Sequence, residues 1–270
     1  MTQSLWFLHD GINKLIRYDG KVWSMTDLPR PKEGFTRGDM LNGFQGISTE
    51  TAFWLQGGNH AWRWDARKSV WESEPMPDTG LFVSIAPIKD RVFVIMRHEY
   101  VPYIAESPFN RRDKPDSDAV YFFQHGKWQE FPNKSGIKFF TRDIVIAKEA
   151  AYLLTKDGKL LRLSSSEIAP IESLGEVEAM TITASDNLLA SFHNNGIYEY
   201  ADGWRKKFSA PYPITEGEHW AYLSESNGQV ALAITSEPQM AGENKWKYPG
   251  QTTLWISSGS ELKPIPLGEH

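Results

Sequence analysis

A three-part phrase recurs six times along the chain, and a repeat of this kind constrains a fold more than any local propensity does. In its first copy, Leu5-Trp6-Phe7-Leu8 is followed by Lys14 to Tyr18 and by Lys21-Val22-Trp23-Ser24. The second reads Ala52 to Leu55, His60 to Asp65 and Ser69 to Glu72. The third reads Arg91 to Met96, Ala119 to Phe123 and Lys127 to Phe131. The fourth is Ala151 to Thr155, Lys159 to Leu163 and Ile168 to Ile171. The fifth is Leu188 to Phe192, Gly196 to Tyr200 and Trp204 to Phe208, and the sixth Val230 to Thr235, Thr253 to Ser257 and Glu261 to Ile265.

Each part is a short run of β-branched and aromatic residues, and Asp-Gly, Asn-Gly, His-Gly or Ser-Gly pairs between them supply the turns that join antiparallel strands. One further apolar run precedes copies two to six: Met40 to Ile47, Leu81 to Ile88, Ile144 to Ala147, Ala179 to Ala184 and Trp220 to Leu223. Runs that are small and apolar on both sides suit an innermost strand packed on two faces. No stretch shows helical periodicity beyond two turns. Four strands about every 40 residues define an all-β, six-bladed β-propeller of mostly four-stranded antiparallel blades.

The expected organisation is one domain over 1–270, with blades near 4–29, 36–77, 80–133, 137–174, 175–213 and 214–267. A lone four-stranded sheet exposes too much apolar face, so the blades must stack, and outer-strand Trp23, Trp64, Trp71, Trp128 and Trp204 are expected to fill the wedges between them. Blade one has no innermost run before Leu5. Either it is three-stranded, which the alignment of Thr252 to Pro266 with Ala119 to Pro132 favours, or Glu261 to Leu267 pairs with it and Asn244 to Tyr248 becomes a strand.

Gly57-Gly58, then Trp64-Asp65, then Trp71 resembles a kelch repeat, with its paired glycines, aromatic-Asp and later Trp. Tyr18-Asp19-Gly20 followed by Trp23 is similar to the blades of two-component-regulator propellers. Each motif occupies one or two blades, so the resemblance implies the architecture and no particular family.

Lys and Arg number 29 against 34 Asp and Glu, a net charge of -5, which argues against a bulk electrostatic grip on nucleic acid or anionic lipid. With no cysteine, disulfides, thiolate metal sites and cysteine nucleophiles are excluded. The start, Met1 to Trp6, lacks a basic n-region and apolar core, and no apolar run reaches membrane-spanning length; a cytoplasmic location is the expectation. Were a leader removed, Asn133-Lys134-Ser135 would be a glycan acceptor. Gly-x-Ser-x-Gly, His-Glu-x-x-His, phosphate-loop and calcium-loop patterns are missing, and no cofactor or metal is expected.

Two segments break the repeat length, and both join the second strand of a blade to its third. Arg97 to Asp118 carries Tyr100, Tyr103, Phe109, Arg111 and Arg112; Ser236 to Gln251 carries Met240, Trp246 and Tyr248. Such residue types are enriched where proteins bind proteins, and long loops on a rigid scaffold tend to be functional. In a ring of six, the two would face each other across a channel mouth. Around that mouth the inner-strand starts bring Arg37, Asp39, Arg142, Asp143, Glu176, Glu178, Glu216, Glu218 and His219, read as a hydrated charge lining or, as the sharper alternative, a cation or acid-base site.

The leading expectation is therefore a non-catalytic module that recognises a protein or peptide through the long-loop face, a toxin-neutralising or scaffold role being one version. A lectin-like propeller, echoed locally by Trp62-Arg63-Trp64-Asp65 and Trp204-Arg205, is the alternative. A hydrolase or lyase using the mouth acids is the third.

Overall fold

Runs of Val, Ile, Tyr, Phe and Trp interrupted by two-residue turns give antiparallel hairpins, and among the described residues the backbone is strand and turn with no helix. The computed structural model describes residues 5–9, 14–18, 21–28, 45–48, 53–57, 60–65, 68, 70–75, 81–89, 91–97, 117–209, 219–236, 239–240, 246–248 and 252–265. Two compact units divide the chain, Met1–Pro132 and Asn133–His270.

The first unit holds three sheets, each in chain order. A three-stranded sheet comprises β1 (Leu5–His9), β2 (Lys14–Tyr18) and β3 (Trp23–Asp27). Next come β4 (Gln45–Ser48), β5 (Phe53–Gly57), β6 (His60–Asp65) and β7 (Val70–Pro75), then β8 (Leu81–Ile88), β9 (Arg91–Arg97), β10 (Ala119–Gln124) and β11 (Lys127–Glu130). Trp54, Ile85, Val92, Val94 and Met96 form a core between the last two sheets, with Tyr121, Phe123 and Trp128 packed against it. The Arg63 guanidinium lies against this cluster, 6.0 Å from the Trp54 ring centre and 5.9 Å from that of Phe123.

The second unit repeats the plan. One sheet is β12 (Thr141–Ile146), β13 (Ala150–Thr155), β14 (Leu160–Ser164) and β15 (Ile168–Ile171); another is β16 (Val177–Ile182), β17 (Leu188–Phe192), β18 (Gly196–Tyr200) and β19 (Trp204–Ser209). The last begins with β20 (His219–Ser226) and β21 (Gln229–Ser236). A two-stranded ribbon, β22 (Gln239–Met240) and β23 (Trp246–Tyr248), precedes β24 (Thr252–Ser258) and β25 (Glu261–Ile265), which complete the sheet. Leu154, Leu160, Val177, Leu188 and Phe192 are at most 1% exposed in the core between the first two sheets. Each such side chain contributes roughly 1.5–3 kcal/mol through burial. Leu189, Ile197, Leu223, Leu232 and Trp255 form the core between the next two.

Turn chemistry sets the hairpins as the sequence predicts. His125 and Gly126 have φ of 53° and 76°, and Asn227 and Gly228 have 52° and 78°, the paired left-handed conformations of a tight hairpin loop. Six sheets, five four-stranded and the first three-stranded among the described residues, match the expected blades. The alternative closure fails, because β25 pairs with β24 from Leu254↔Ile265 to Ser258↔Glu261. Trp246–Tyr248 is nonetheless a strand, in its own ribbon.

Neighbouring blades are tied by two recurring hydrogen bonds. An outer-strand indole donates to the backbone of the preceding blade: Trp71 Nε1 to the Asp27 carbonyl at 2.8 Å, and Trp204 Nε1 to the Glu172 carbonyl at 2.7 Å. Near the opposite edge, the turn after an innermost strand donates to a carboxylate of the following blade. Lys148 N reaches Asp186 Oδ1 at 2.9 Å, and Ala184 N reaches Glu225 Oε2 at 2.7 Å. One wedge expectation is overturned: Trp23 is 57% exposed and stacks on Tyr18, its cross-strand partner, at 4.7 Å. Stacking on its cross-strand partner covers one face of the indole and leaves the rest open.

Candidate functional site

In each four-stranded blade the innermost strand begins, and the second strand finishes, at the same end; that end is the loop end. Three innermost strands carry a β-bulge there at one register position. The ladder shifts between Phe82 and Ser84 in β8, between Thr141 and Asp143 in β12, and between Val177 and Ala179 in β16. The extra residues are Val83, Arg142 and Glu178. A bulge leaves its residue out of the ladder and re-aims its side chain. Arg142 and Glu178 also interrupt the apolar run, which is why the sequence places the start of β12 and β16 later, at Ile144 and Ala179.

The facing position on the second strand is equally consistent. Arg97 lies opposite Leu81, Lys156 N donates to the Phe140 carbonyl at 2.7 Å, and His193 N donates to the Glu176 carbonyl at 2.9 Å. Arg97, Lys156 and His193 thus hold one register position in three successive blades.

What each does differs. Arg97 closes a two-pronged ion pair with Asp118, Nε to Oδ1 at 2.8 Å and Nη2 to Oδ2 at 3.0 Å. The Asp118 side chain is fully buried and that of Arg97 is 13% exposed. Since Arg97 ends β9 and Asp118 immediately precedes β10, this clasp fixes the stem of the first long segment. The second long segment has a lighter stem, Thr235 and Thr252 hydroxyls 3.1 Å apart, and it folds back as the β22–β23 ribbon.

In the fifth blade, His193 Nδ1 lies 2.8 Å from Glu178 Oε1, and Ser191 Oγ donates to Glu178 Oε2 at 3.3 Å. A carboxylate accepts, so Nδ1 carries the hydrogen. The Glu178 side chain is only 6% exposed, so it is turned into the blade rather than standing in water. Sequence reasoning misses His193, whose setting in His193-Asn194-Asn195-Gly196 reads as a plain turn. It also misses Asp118, which reads as the tail of a loop.

Arg142 and Asp143 are exposed, and Asp143 Oδ1 accepts from Ile144 N at 2.8 Å. Met240, Trp246 and Tyr248 are placed by the ribbon, and His219 is the first residue of β20; their side chains lie outside the description. Arg37, Asp39, Glu216, Glu218, Tyr100, Tyr103, Phe109, Arg111 and Arg112 lie outside the described residues. Among the described residues no three His, Asp or Glu side chains converge as a cation site. The Trp62-Arg63-Trp64-Asp65 segment is engaged internally: Trp62 is buried, and Arg63 pairs with Glu72, which also binds Lys68.

No family model matches the sequence, and no curated protein matches it. Solved structures do. YCF48 bound to D1 peptide has 13% identity and a TM-score of 0.55 over 98% of this chain and 77% of its own. The dihydro-heme d1 dehydrogenase NirN in complex with DHE has 12% identity and a TM-score of 0.54, over 98% of this chain and 53% of that one. A Saccharomyces cerevisiae structure of dbp5 bound to nup159, gle1, IP6 and ADP has 10% identity and a TM-score of 0.51, over 82% of this chain and 59% of that one. This chain is therefore similar in fold to known propellers, and it is a six-bladed β-propeller.

Proposed function

We propose that the chain is a non-catalytic binding module that takes a peptide or protein partner at the loop ends of its blades. The observation that carries this reading is the Arg97–Asp118 clasp. A two-pronged ion pair with a fully buried carboxylate, at the foot of an insertion, holds the two ends of that segment in a fixed spacing. The second insertion leaves its blade at the same place, between second and third strands, and carries its own ribbon. Among the structures of like fold, one holds a peptide, YCF48 with D1 peptide, and one is an enzyme, NirN; the first supports a peptide partner here at the level of architecture. A protein confined to the cytoplasm is part of the same proposal.

Deleting Ile104 to Ser117 tests it. The clasp and β9–β10 are retained, so the far-UV spectrum and thermal midpoint are expected to stay close to wild type while partner capture from native lysate is lost. A folded deletion variant that captures the same partner overturns the reading.

A further inference from the structure

Outer-strand Trp71, Trp128 and Trp204 each meet the blade before their own, and one of the three goes without the tie that the others make. Trp71 and Trp204 donate to a main-chain oxygen of the preceding blade. Trp128 packs on Trp54 of the second blade, ring centres 6.0 Å apart, and its Nε1 is buried without an acceptor. A second donor is stranded beside it. Arg63, the cross-strand neighbour of Trp54, gives Nη2 to Glu72, but its Nε is also buried and also lacks an acceptor. Among the described residues three buried side-chain atoms lack a hydrogen bond, so two of the three adjoin one wedge.

Both donors lie against the same two rings. The Arg63 guanidinium carbon is 6.0 Å from the Trp54 ring centre and 5.9 Å from that of Phe123, and the Trp128 ring is 5.1 Å from Phe123. Ring faces accept N–H groups only weakly, and a shut-in donor bears the cost of its lost hydration. The closed wedge is therefore a state that an incoming acceptor improves. Trp54 is 3% exposed, whereas Phe123, Trp128 and Arg63 are half-buried, so side chains and not main chain cover the site. Phe123 and Trp128 flank the His125-Gly126 turn, at the other end of the blade from the Arg97–Asp118 clasp.

The lining decides which acceptor fits. Glu72, the carboxylate at hand, is bound by Arg63 and by Lys68 at 2.7 Å, which hold it below the ordinary glutamate value, Lys68 most of all. Arg63 is thus already matched in charge, and a second carboxylate would meet Glu72. A water or an alcohol brings hydrogens that need acceptors of their own, which a pair of donors does not offer. A carbonyl oxygen brings none, and its two lone pairs serve one N–H each.

We infer that the wedge between the second and third blades binds an uncharged small molecule through a carbonyl oxygen, held by Arg63 Nε–H and Trp128 Nε1–H, with the apolar body of the molecule against Trp54 and Phe123. That body replaces the ring contacts given up when the wedge opens, which a lone water cannot do. The site is apart from the loop ends and independent of the partner proposed for them.

Cyclohexanone, and cyclohexene, which has nearly the same shape and no oxygen, are titrated into the isotope-labelled full chain and followed by the indole N–H resonances in NMR spectra. Loss of a resonance in Trp128→Phe identifies that of Trp128. Cyclohexanone is expected to move it downfield and to slow its exchange with water, and cyclohexene to do neither. Trp128→Phe and Arg63→Lys, the second keeping a cation for Glu72, are each expected to bind the ketone about fivefold more weakly, read from the Trp54 resonance. Trp204→Phe is expected to bind it as wild type does. An equal response to cyclohexene overturns the inference in favour of a plain apolar slot. Ketone binding unchanged in both variants overturns it, as does a Trp128 resonance that stays unmoved through the titration. None of these outcomes bears on the loop-end reading, which the Ile104 to Ser117 deletion decides separately.

Discussion

Asp118 shows how much a single carboxylate can be asked to hold. It is shielded from water and bound by Arg97 through two parallel contacts, so removing either residue breaks a pair whose carboxylate is fully buried. Asp118→Ala is expected to lower the unfolding free energy by about 3–5 kcal/mol in urea titrations, and the double change Arg97→Met with Asp118→Leu to recover most of it. Glu199 behaves differently. Burial pushes its carboxyl up, but the Lys207 ammonium at 2.7 Å and the Asn187 amide at 2.9 Å outweigh burial and hold it below the ordinary glutamate value. With the folded value depressed, the unfolded chain takes up its proton first as pH falls. The stability Glu199 supplies is therefore complete above the unfolded value, about 4.5, and drains away as pH drops through the folded one. Glu199→Gln is expected to flatten the acid limb of stability against pH, as read from urea midpoints. Neither partnership is visible in sequence, since Arg97 and Asp118 stand 21 positions apart with a long insertion between them.

At the scale of strands and blades, tryptophans that look interchangeable in sequence divide by what their indole N–H meets. Trp204 donates across to the preceding blade, whereas the Nε1 of Trp128 is buried without a hydrogen-bond partner among the described residues. Trp204→Phe is expected to lose about 1 kcal/mol of hydrogen bonding beyond its packing loss. Trp128→Phe removes an unsatisfied donor and is expected to cost less, as thermal denaturation of the pair would show. Strand order and hairpin turns were readable because alternation and the His125-Gly126 and Asn227-Gly228 pairs act locally. The bulges were not. A polar residue such as Arg142 or Glu178 interrupts the apolar run and looks like the end of a strand, when the strand passes through it. Trp23 misled in the opposite sense, since a large aromatic invites a buried role that stacking on Tyr18 makes unnecessary.

For the whole molecule, the repeat was enough to count the blades, because six similar sheets leave few other architectures open. The converse holds where the copies differ, at one register position that carries Arg142 in one blade, Glu178 in the next and Val83 in the blade before, because a repeat does not say what its variable positions do. The ties between sheets bear on how such differences are tolerated. Where the indoles of Trp71 and Trp204 are received, the acceptor is a main-chain oxygen, which every amino acid provides. A module can therefore be rewritten along its outer edge without consulting the one beside it. Such ties put no demand on the side chain that receives them, in keeping with a likeness of fold at 10% identity.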